Sequence, residues 1–173
     1  MINATILHLG GSMIIEYDEI YNEQIKDLLT ELQEHIVDID KEKYNIMTKE
    51  YREEYFKKTI EEIKRYDGKM FLYKDDNKIL GLIVGIINNE ETTEYDFKAP
   101  KRGRVSELVV TKNTRSKGIG KKLLESITEY FKENQCEDIL IGVFAYNENA
   151  IKFYEKNNYH ARLIEMTKKI KEN

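Results

Sequence analysis

The alternation of apolar and polar positions divides the chain into short strands and amphipathic helices. Met13-Ile14-Ile15-Glu16-Tyr17 is β-branched and bounded by polar residues, and reads as a strand. Behind it Ile25, Leu28, Leu29, Leu32 and Ile36 recur at helical spacing, with Asp18 as a candidate N-cap. A polar stretch over 37–47 precedes a second helix, with Tyr51, Tyr55, Ile60 and Ile63 facing inward. Lys69 to Lys74 and Lys78 to Ile87 have the pattern of a hairpin turned by Asp75-Asp76-Asn77. Residues 88–103 read as a charged loop that holds the single proline, Pro100. The apolar run Val105-Ser106-Glu107-Leu108-Val109-Val110 then predicts a central strand. After the polar turn 111–114 comes a helix with Ile119, Leu123, Leu124, Ile127 and Phe131 on one face. Asp138 to Phe144 reads as another buried strand, and Asn147 can cap a helix from Glu148 to Lys156. Tyr159 to Ile170 is expected to close the sheet with one or two strands. The order β, α, α, β, β, β, α, β, α, β defines an α/β fold.

Composition narrows the class. With 173 residues the chain is long enough for one domain with a real core and short for two, so a single domain over 1–173 is expected. Residues 1–11 form an extension whose Ile6, Leu7 and Leu9 either add a strand or tuck against the body. Charged residues make up 35% and the net charge is −4, which marks a soluble globular protein. No apolar run approaches the ~20 residues of a membrane span, and the N-terminus lacks the basic region of a secretory signal. Cys136 is the sole cysteine, so a disulfide framework is excluded and a cytoplasmic location is expected. His8, His35 and His160 are scattered without ligand spacing, and no metal is expected.

Charge is unevenly placed. Lys101, Arg102, Arg104, Lys112, Arg115, Lys117, Lys121 and Lys122 surround one acid, Glu107, so this segment carries +7 and the remainder of the chain −11. Such a patch attracts an anionic ligand. It is too short, and too poor in interleaved aromatics, to favour nucleic acid as the partner. From Glu16 to Glu62 fifteen acids face seven bases, a balance of −8. Asp38 and Asp40, between the first two helices, are candidates to meet a cationic substrate; the plainer reading of the acidic set is a solvated surface.

Within the basic segment, Arg115-Ser116-Lys117-Gly118-Ile119-Gly120 joins the central strand to the next helix. The outward N–H groups of a helix start favour an anion, and glycine lets the main chain approach it closely. Gly118 lacks the G-x-x-x-x-G-K-[ST] partner of a Walker A loop, and Gly118-x-Gly120 alone is less than a Rossmann fingerprint. The wider pattern, E-L-x-V, a spacer and R-x-x-G-x-G-K-x-L-L, resembles the signature of the GNAT superfamily of acyl-CoA-dependent N-acyltransferases. Asn147-x-x-Ala150-x-x-Phe153-Tyr154 resembles the second block of that superfamily, in its order and at about its spacing.

The resemblance implies a mixed, mostly antiparallel sheet, splayed between central strands to admit acetyl-CoA as co-substrate and flanked by about four helices. It implies that Leu108, Val109 and Val110 pair with the pantetheine arm as a strand would, with the N–H of Val109 or Val110 polarising the thioester carbonyl. It assigns Arg115, Ser116, Lys117, Gly118, Ile119, Gly120 and Lys121 to the pyrophosphate, and Asn147 to the cofactor's arm. Tyr154 falls on the family's general-acid tyrosine, placed to protonate the departing thiolate; the alternative is a packed aromatic. Glu107 is a candidate base for the acceptor ammonium, and its alternative is an outward-facing or ion-paired carboxylate. Asn158 stands where the family has glycine, and asparagine tolerates the left-handed conformation a helix C-terminus requires.

The function so implied is direct acetyl transfer in a ternary complex to a small-molecule primary amine, with a cationic acceptor favoured by the acidic first half. No nucleic acid or membrane partner is implied, and monomer and homodimer stay open. The rival functions are a catalytically degenerate acyl-CoA sensor, acetylation of a protein amine, and a nucleotide- or nucleic-acid-binding module.

Overall fold

The structure, a computed structural model, describes residues 11–89, 95–96 and 98–170. The extension expected over 1–11, apart from Gly11, and part of the loop expected over 88–103 lie outside them. The chain divides into two compact units, one ending at Gly142 and one beginning at Val143.

The first unit is a five-stranded sheet with helices on both faces. The strands β1 (Met13–Glu16), β2 (Lys69–Asp75), β3 (Lys78–Asn89), β4 (Lys101–Val110) and β5 (Asp138–Ile141) lie side by side in chain order. The first three pairings are antiparallel and β4–β5 is parallel. Asp75 pairs with Lys78, and Asp76 turns the hairpin at φ +51°. Helices α1 (Asn22–Ile39) and α2 (Tyr51–Arg65) precede β2, and α3 (Ile119–Glu133) follows β4. Asp18 caps a single 3₁₀ turn ahead of α1, accepting the N–H of Ile20 at 3.0 Å.

The apolar stripes read from the sequence settle on the two faces. On one face Ile25, Leu28 and Leu29 of α1 bury against Met70, Leu72, Leu82, Val84 and Val109, with Tyr55, Phe56, Ile60 and Ile63 of α2 at the margin. On the other, Leu123, Ile127 and Phe131 of α3 are fully buried. Phe131 needs bare backbone beneath it: a Cβ at Gly103 would sit 2.4 Å from its ring, and one at Gly85 2.5 Å.

A β-bulge in β4 decides what the strand presents. Val84 of β3 pairs with Glu107 and the next residue, Gly85, pairs with Val105, leaving Ser106 as the extra residue. Before the bulge Gly103 lies under Phe131 on the α3 face; after it Val109 belongs to the α1 core. Side chains in a strand alternate with period two, so these odd-numbered residues would otherwise share a face. The bulge therefore turns Glu107 toward α2.

Pairing with β5 stops at the same place. It runs from Arg102↔Asp138 to Val105↔Ile141, whereas β4 continues to Val110 alongside β3. The edge of β4 from Ser106 to Val110 is thus without a β5 partner.

Three boundaries differ from the sequence reading. β4 begins at Lys101 inside the expected loop, because Arg102 is buried there with Nε 2.8 Å from Asp138 Oδ1. β5 ends at Ile141, since the bulged strand offers it no further register, and 142–144 lie beyond it. Residues 159–170 contain no strand; Leu163, Ile164, Met166 and Ile170 are exposed, for apolar residues alone do not supply the ladder partner a strand requires.

The second unit holds α4 (Glu148–Lys156). Asn147 Oδ1 caps it by accepting the N–H of Ala150 at 3.2 Å. Its C-terminus turns through Asn158 at φ +66°, and Tyr159 N–H donates to Tyr154 O at 3.0 Å. Asparagine thus takes the left-handed position expected of it.

Candidate active site

Glu107, the candidate base, lies on β4 just past the bulge. Its carboxylate is partly buried between β4 and α2, and the Tyr55 hydroxyl donates a hydrogen bond to Oε1. Tyr51 stacks on Tyr55 one helical turn away, with ring centroids 4.8 Å apart and planes 15° from parallel. Lys58 also lies over the Tyr55 ring, its Nζ 5.7 Å from the centroid. Burial pushes the Glu107 carboxyl up to about 7 and nearby Glu62 adds to this, while the Tyr55 hydrogen bond and Lys58 pull it back. Burial, reinforced by the Glu107 charge, raises both tyrosine phenols, so they remain protonated donors. A carboxylate poised near neutrality is matched to taking a proton at physiological pH. Glu107 thus faces α2, with the Tyr55 hydroxyl bonded to it and Lys58 near enough to act on its charge.

Beside Glu107 begins the edge of β4 that β5 does not pair. Leu108, Val109 and Val110 pair on their other side with Ile83, Leu82 and Gly81, and the Val109 side chain anchors in the α1 core. Arg115 reaches back to donate from Nε to Val110 O at 3.0 Å. Glu31 of α1 accepts the N–H of Lys112 at 2.8 Å and lies 3.5 Å from Arg115 Nη2. Those two contacts tie the connection between β4 and α3 to a helix remote in sequence, and sequence reasoning did not single out Glu31.

The glycine loop has the geometry of an anion cradle. Ser116 and Gly118 both take positive φ, +65° and +78°. Gly118 is the N-cap of α3 and no side chain caps that end. The first helical bond runs from Lys122 N–H to Gly118 O, so the N–H groups of Ile119, Gly120 and Lys121 point out of the helix end. Ile119 is buried and pins the helix start to the core, whereas Lys117 and Lys121 are exposed. Nothing lies within 4 Å of the position a Gly118 Cβ would take.

Part of the acidic first half pairs with bases of its own helices. Arg52 of α2 bonds Asp27 at 2.8 Å and Glu23 and Glu53 at 2.9 Å, and Lys26 bonds Glu23 at 2.9 Å and Glu53 at 2.7 Å. Asp40, expected to face a cationic substrate, is instead 3% exposed. It accepts the N–H groups of Glu42, Tyr44 and Asn45 and the Asn45 amide, which lower its carboxyl to about 2. It organises the loop after α1. Asp38 remains exposed.

In the second unit Asn147 is committed to capping α4, and Tyr154 packs edge-on between Phe153 and Tyr159, with centroids 5.2 and 5.6 Å away. Among the described residues no group of three or more His, Cys, Asp or Glu is placed to hold a metal, and no helix is long and apolar enough to cross a membrane.

The mixed five-stranded sheet with its bulged fourth strand, and a left-handed glycine at the start of α3, are the frame on which the comparison with known families bears. Residues 29–159 match the acetyltransferase (GNAT) family, and the chain belongs to that family. A variant of the BH1408 protein from Bacillus halodurans superimposes with a TM-score of 0.80 at 21% identity, over 91% of this chain and 99% of that one. Glucosamine-6-phosphate N-acetyltransferase from Arabidopsis thaliana gives a TM-score of 0.66 at 22% identity, over 93% and 99%. These likenesses are likenesses of fold. In sequence, N-alpha-acetyltransferase 60 of Xenopus tropicalis is 38% identical over 56 residues, 31% of this chain. That stretch spans 23% of the relative's own length.

Proposed function

We propose that this acetyltransferase, a single N-acetyltransferase domain over 1–173, moves the acetyl group of acetyl-CoA to a primary amine by direct attack in a ternary complex. The observation that carries the reading is the place of Glu107: its carboxylate is held by Tyr55 immediately beside the stretch of β4 that β5 does not pair.

The residues present fit the cofactor. The open space in front of Gly118 and the uncapped helix start suit a pyrophosphate, with Lys117 and Lys121 adding positive charge. Arg115 contributes less directly than expected, because its guanidinium is engaged by Val110 and Glu31. The edge of Leu108 to Val110 offers main-chain groups to an extended amide-bearing arm. When bound, acetyl-CoA supplies a thioester as the acyl donor. Glu107 takes the proton that an alkylammonium, with a pKa near ~10.4, must lose before it can attack. An N–H of Val109 or Val110 steadies the charge that develops on the carbonyl oxygen. Tyr154 gives the leaving sulfur its proton, and Asn147 supports the cofactor's arm as well as capping α4.

A small cationic amine is the acceptor this reading favours, since Glu107 and Glu62 place negative charge where an ammonium arrives. The self-paired α1–α2 network confines that preference to the neighbourhood of Glu107. A protein amine is the second reading, favoured by the local match to N-alpha-acetyltransferase 60. The test is release of free thiol from acetyl-CoA against a panel of polyamines, amino sugars, neutral and acidic amines, and peptides with free N-termini. Turnover on small cations supports the first reading, turnover on peptides alone replaces it with the second, and no turnover with retained CoA binding leaves a sensor.

A further inference from the structure

The contact between Tyr55 and Glu107 has a consequence for which atom does the chemistry. We propose that Tyr55 is a positioning residue for the base: its phenol holds Oε1 of Glu107, leaving Oε2 as the atom that takes the acceptor's proton. This rests on Glu107 being the base.

A carboxylate on two flexible methylenes presents either oxygen unless something fixes it. Here the carboxylate comes from a strand and its clamp from a helix that packs across it. The bulge at Ser106 aims Glu107 at α2, and Tyr55 meets it from the inner face of that helix. The phenol is itself immobilised. Tyr51 stacks on one side of its ring, and its carbonyl accepts the buried Thr59 hydroxyl at 2.8 Å. Because both phenols are raised, Tyr55 stays a donor throughout the range in which Glu107 titrates. Among the described residues, the titratable and charged groups acting on Glu107 are Tyr51, Tyr55, Lys58 and Glu62, all from α2. Its cross-strand neighbour on β3 is Val84, which carries no charge. Among the described residues Tyr55 is thus the group that bonds the carboxylate directly, and Oε1 the oxygen it occupies.

In the proton transfer an N–H bond of the acceptor ammonium breaks and an Oε2–H bond forms, so the ammonium and carboxylate charges cancel. The neutral amine keeps its electron pair for attack, and Glu107 later returns the proton to water. The hydrogen bond from Tyr55 favours the charged carboxylate and opposes the effect of burial. Removing it makes Glu107 a base only at higher pH.

Two measurements on wild type, Glu107→Gln and Tyr55→Phe test this. The first is the pH dependence of kcat/KM with a working acceptor. The second is titration of ¹³C-labelled glutamate carboxyls in the enzyme without substrates. Glu107→Gln is expected to lose one glutamate titrating near 7, together with the acidic limb of the rate profile. Tyr55→Phe keeps the ring stacked on Tyr51, and both midpoints are expected to move upward by about one unit, the size of a hydrogen bond to a charged group. A rate limb that survives in Glu107→Gln overturns the base assignment and this proposal with it. If Glu107→Gln loses the limb but neither midpoint moves in Tyr55→Phe, the base assignment stands and the clamp is overturned. The carboxyl titration reads the clamp even where the rate of Tyr55→Phe is too low to follow.

Discussion

Glu31 and Lys112 are joined across eighty-one residues: Glu31 Oε1 accepts the Lys112 main-chain N–H at 2.8 Å. The same oxygen lies 3.5 Å from Arg115, whose Nε holds Val110 O. One carboxylate on α1 thereby fixes the path of the chain between the open strand edge and the glycine loop. Glu31→Ala releases that path without touching the loop itself. The expected result is a loss of CoA affinity of about five- to tenfold, the value of one or two modest hydrogen bonds, with the folded state retained. Calorimetry with CoA measures it; unchanged affinity would show that the loop holds its shape unaided.

Gly118 separates conformation from space. Its φ of +78° strains a β-branched residue, while the position of a new Cβ is open. Gly118→Asn tolerates the left-handed backbone and should melt close to wild type. It nevertheless puts a side chain in front of the helix start, so CoA binding is expected to be strongly weakened. Gly118→Val is expected to lose both binding and, by about 1–2 kcal/mol, stability. Calorimetry and thermal melts on the pair decide the matter. Tight CoA binding by Gly118→Asn would mean that no phosphate approaches this glycine.

Tyr154→Phe preserves the edge-on packing against Phe153 and Tyr159 and removes only the hydroxyl. Loss of a general acid typically lowers the rate by ~10²–10⁴, and the loss should fall on kcat with little change in KM. Single-turnover kinetics on the best acceptor make the measurement. A rate within twofold of wild type reduces Tyr154 to a packing residue.

Much of the fold was legible because local patterns and tertiary packing agree. The stripe Ile119, Leu123, Leu124, Ile127 and Phe131 is the buried face of α3 residue for residue, and Ile25, Leu28 and Leu29 are the buried face of α1. What local pattern could not show was anything set by a partner far away in sequence. Arg102 reads as loop until Asp138 is beside it. Asp40 reads as surface until its carboxylate is seen gathering three main-chain N–H groups. The bulge at Ser106 has no glycine or proline to announce it, and with it went the direction of Glu107. The glycine loop was recognisable from its own residues, whereas Tyr55 on an ordinary helical stripe gave no sign that its hydroxyl meets a catalytic candidate.

Burial of Glu107 also predicts how stability depends on pH. Its carboxyl is raised from an ordinary 4.5 to about 7, chiefly by desolvation. Between those values the folded state keeps a proton that the unfolded state has released, so folding binds protons and stability falls as pH rises through the window. Below about 4.5 both states are protonated and the group makes no difference. Glu107→Gln keeps the size and the acceptor oxygen for Tyr55 but cannot ionise. It should therefore melt close to wild type at pH 4 and several degrees above it at pH 8, since each kcal/mol moves Tm by about 2–4 °C in chains of this length. Thermal melts of both proteins from pH 4 to 8 test this. A difference that stays constant across the range, or that favours wild type at pH 8, would show that the folded protein holds Glu107 ionised at no cost and that its carboxyl titrates in the ordinary range.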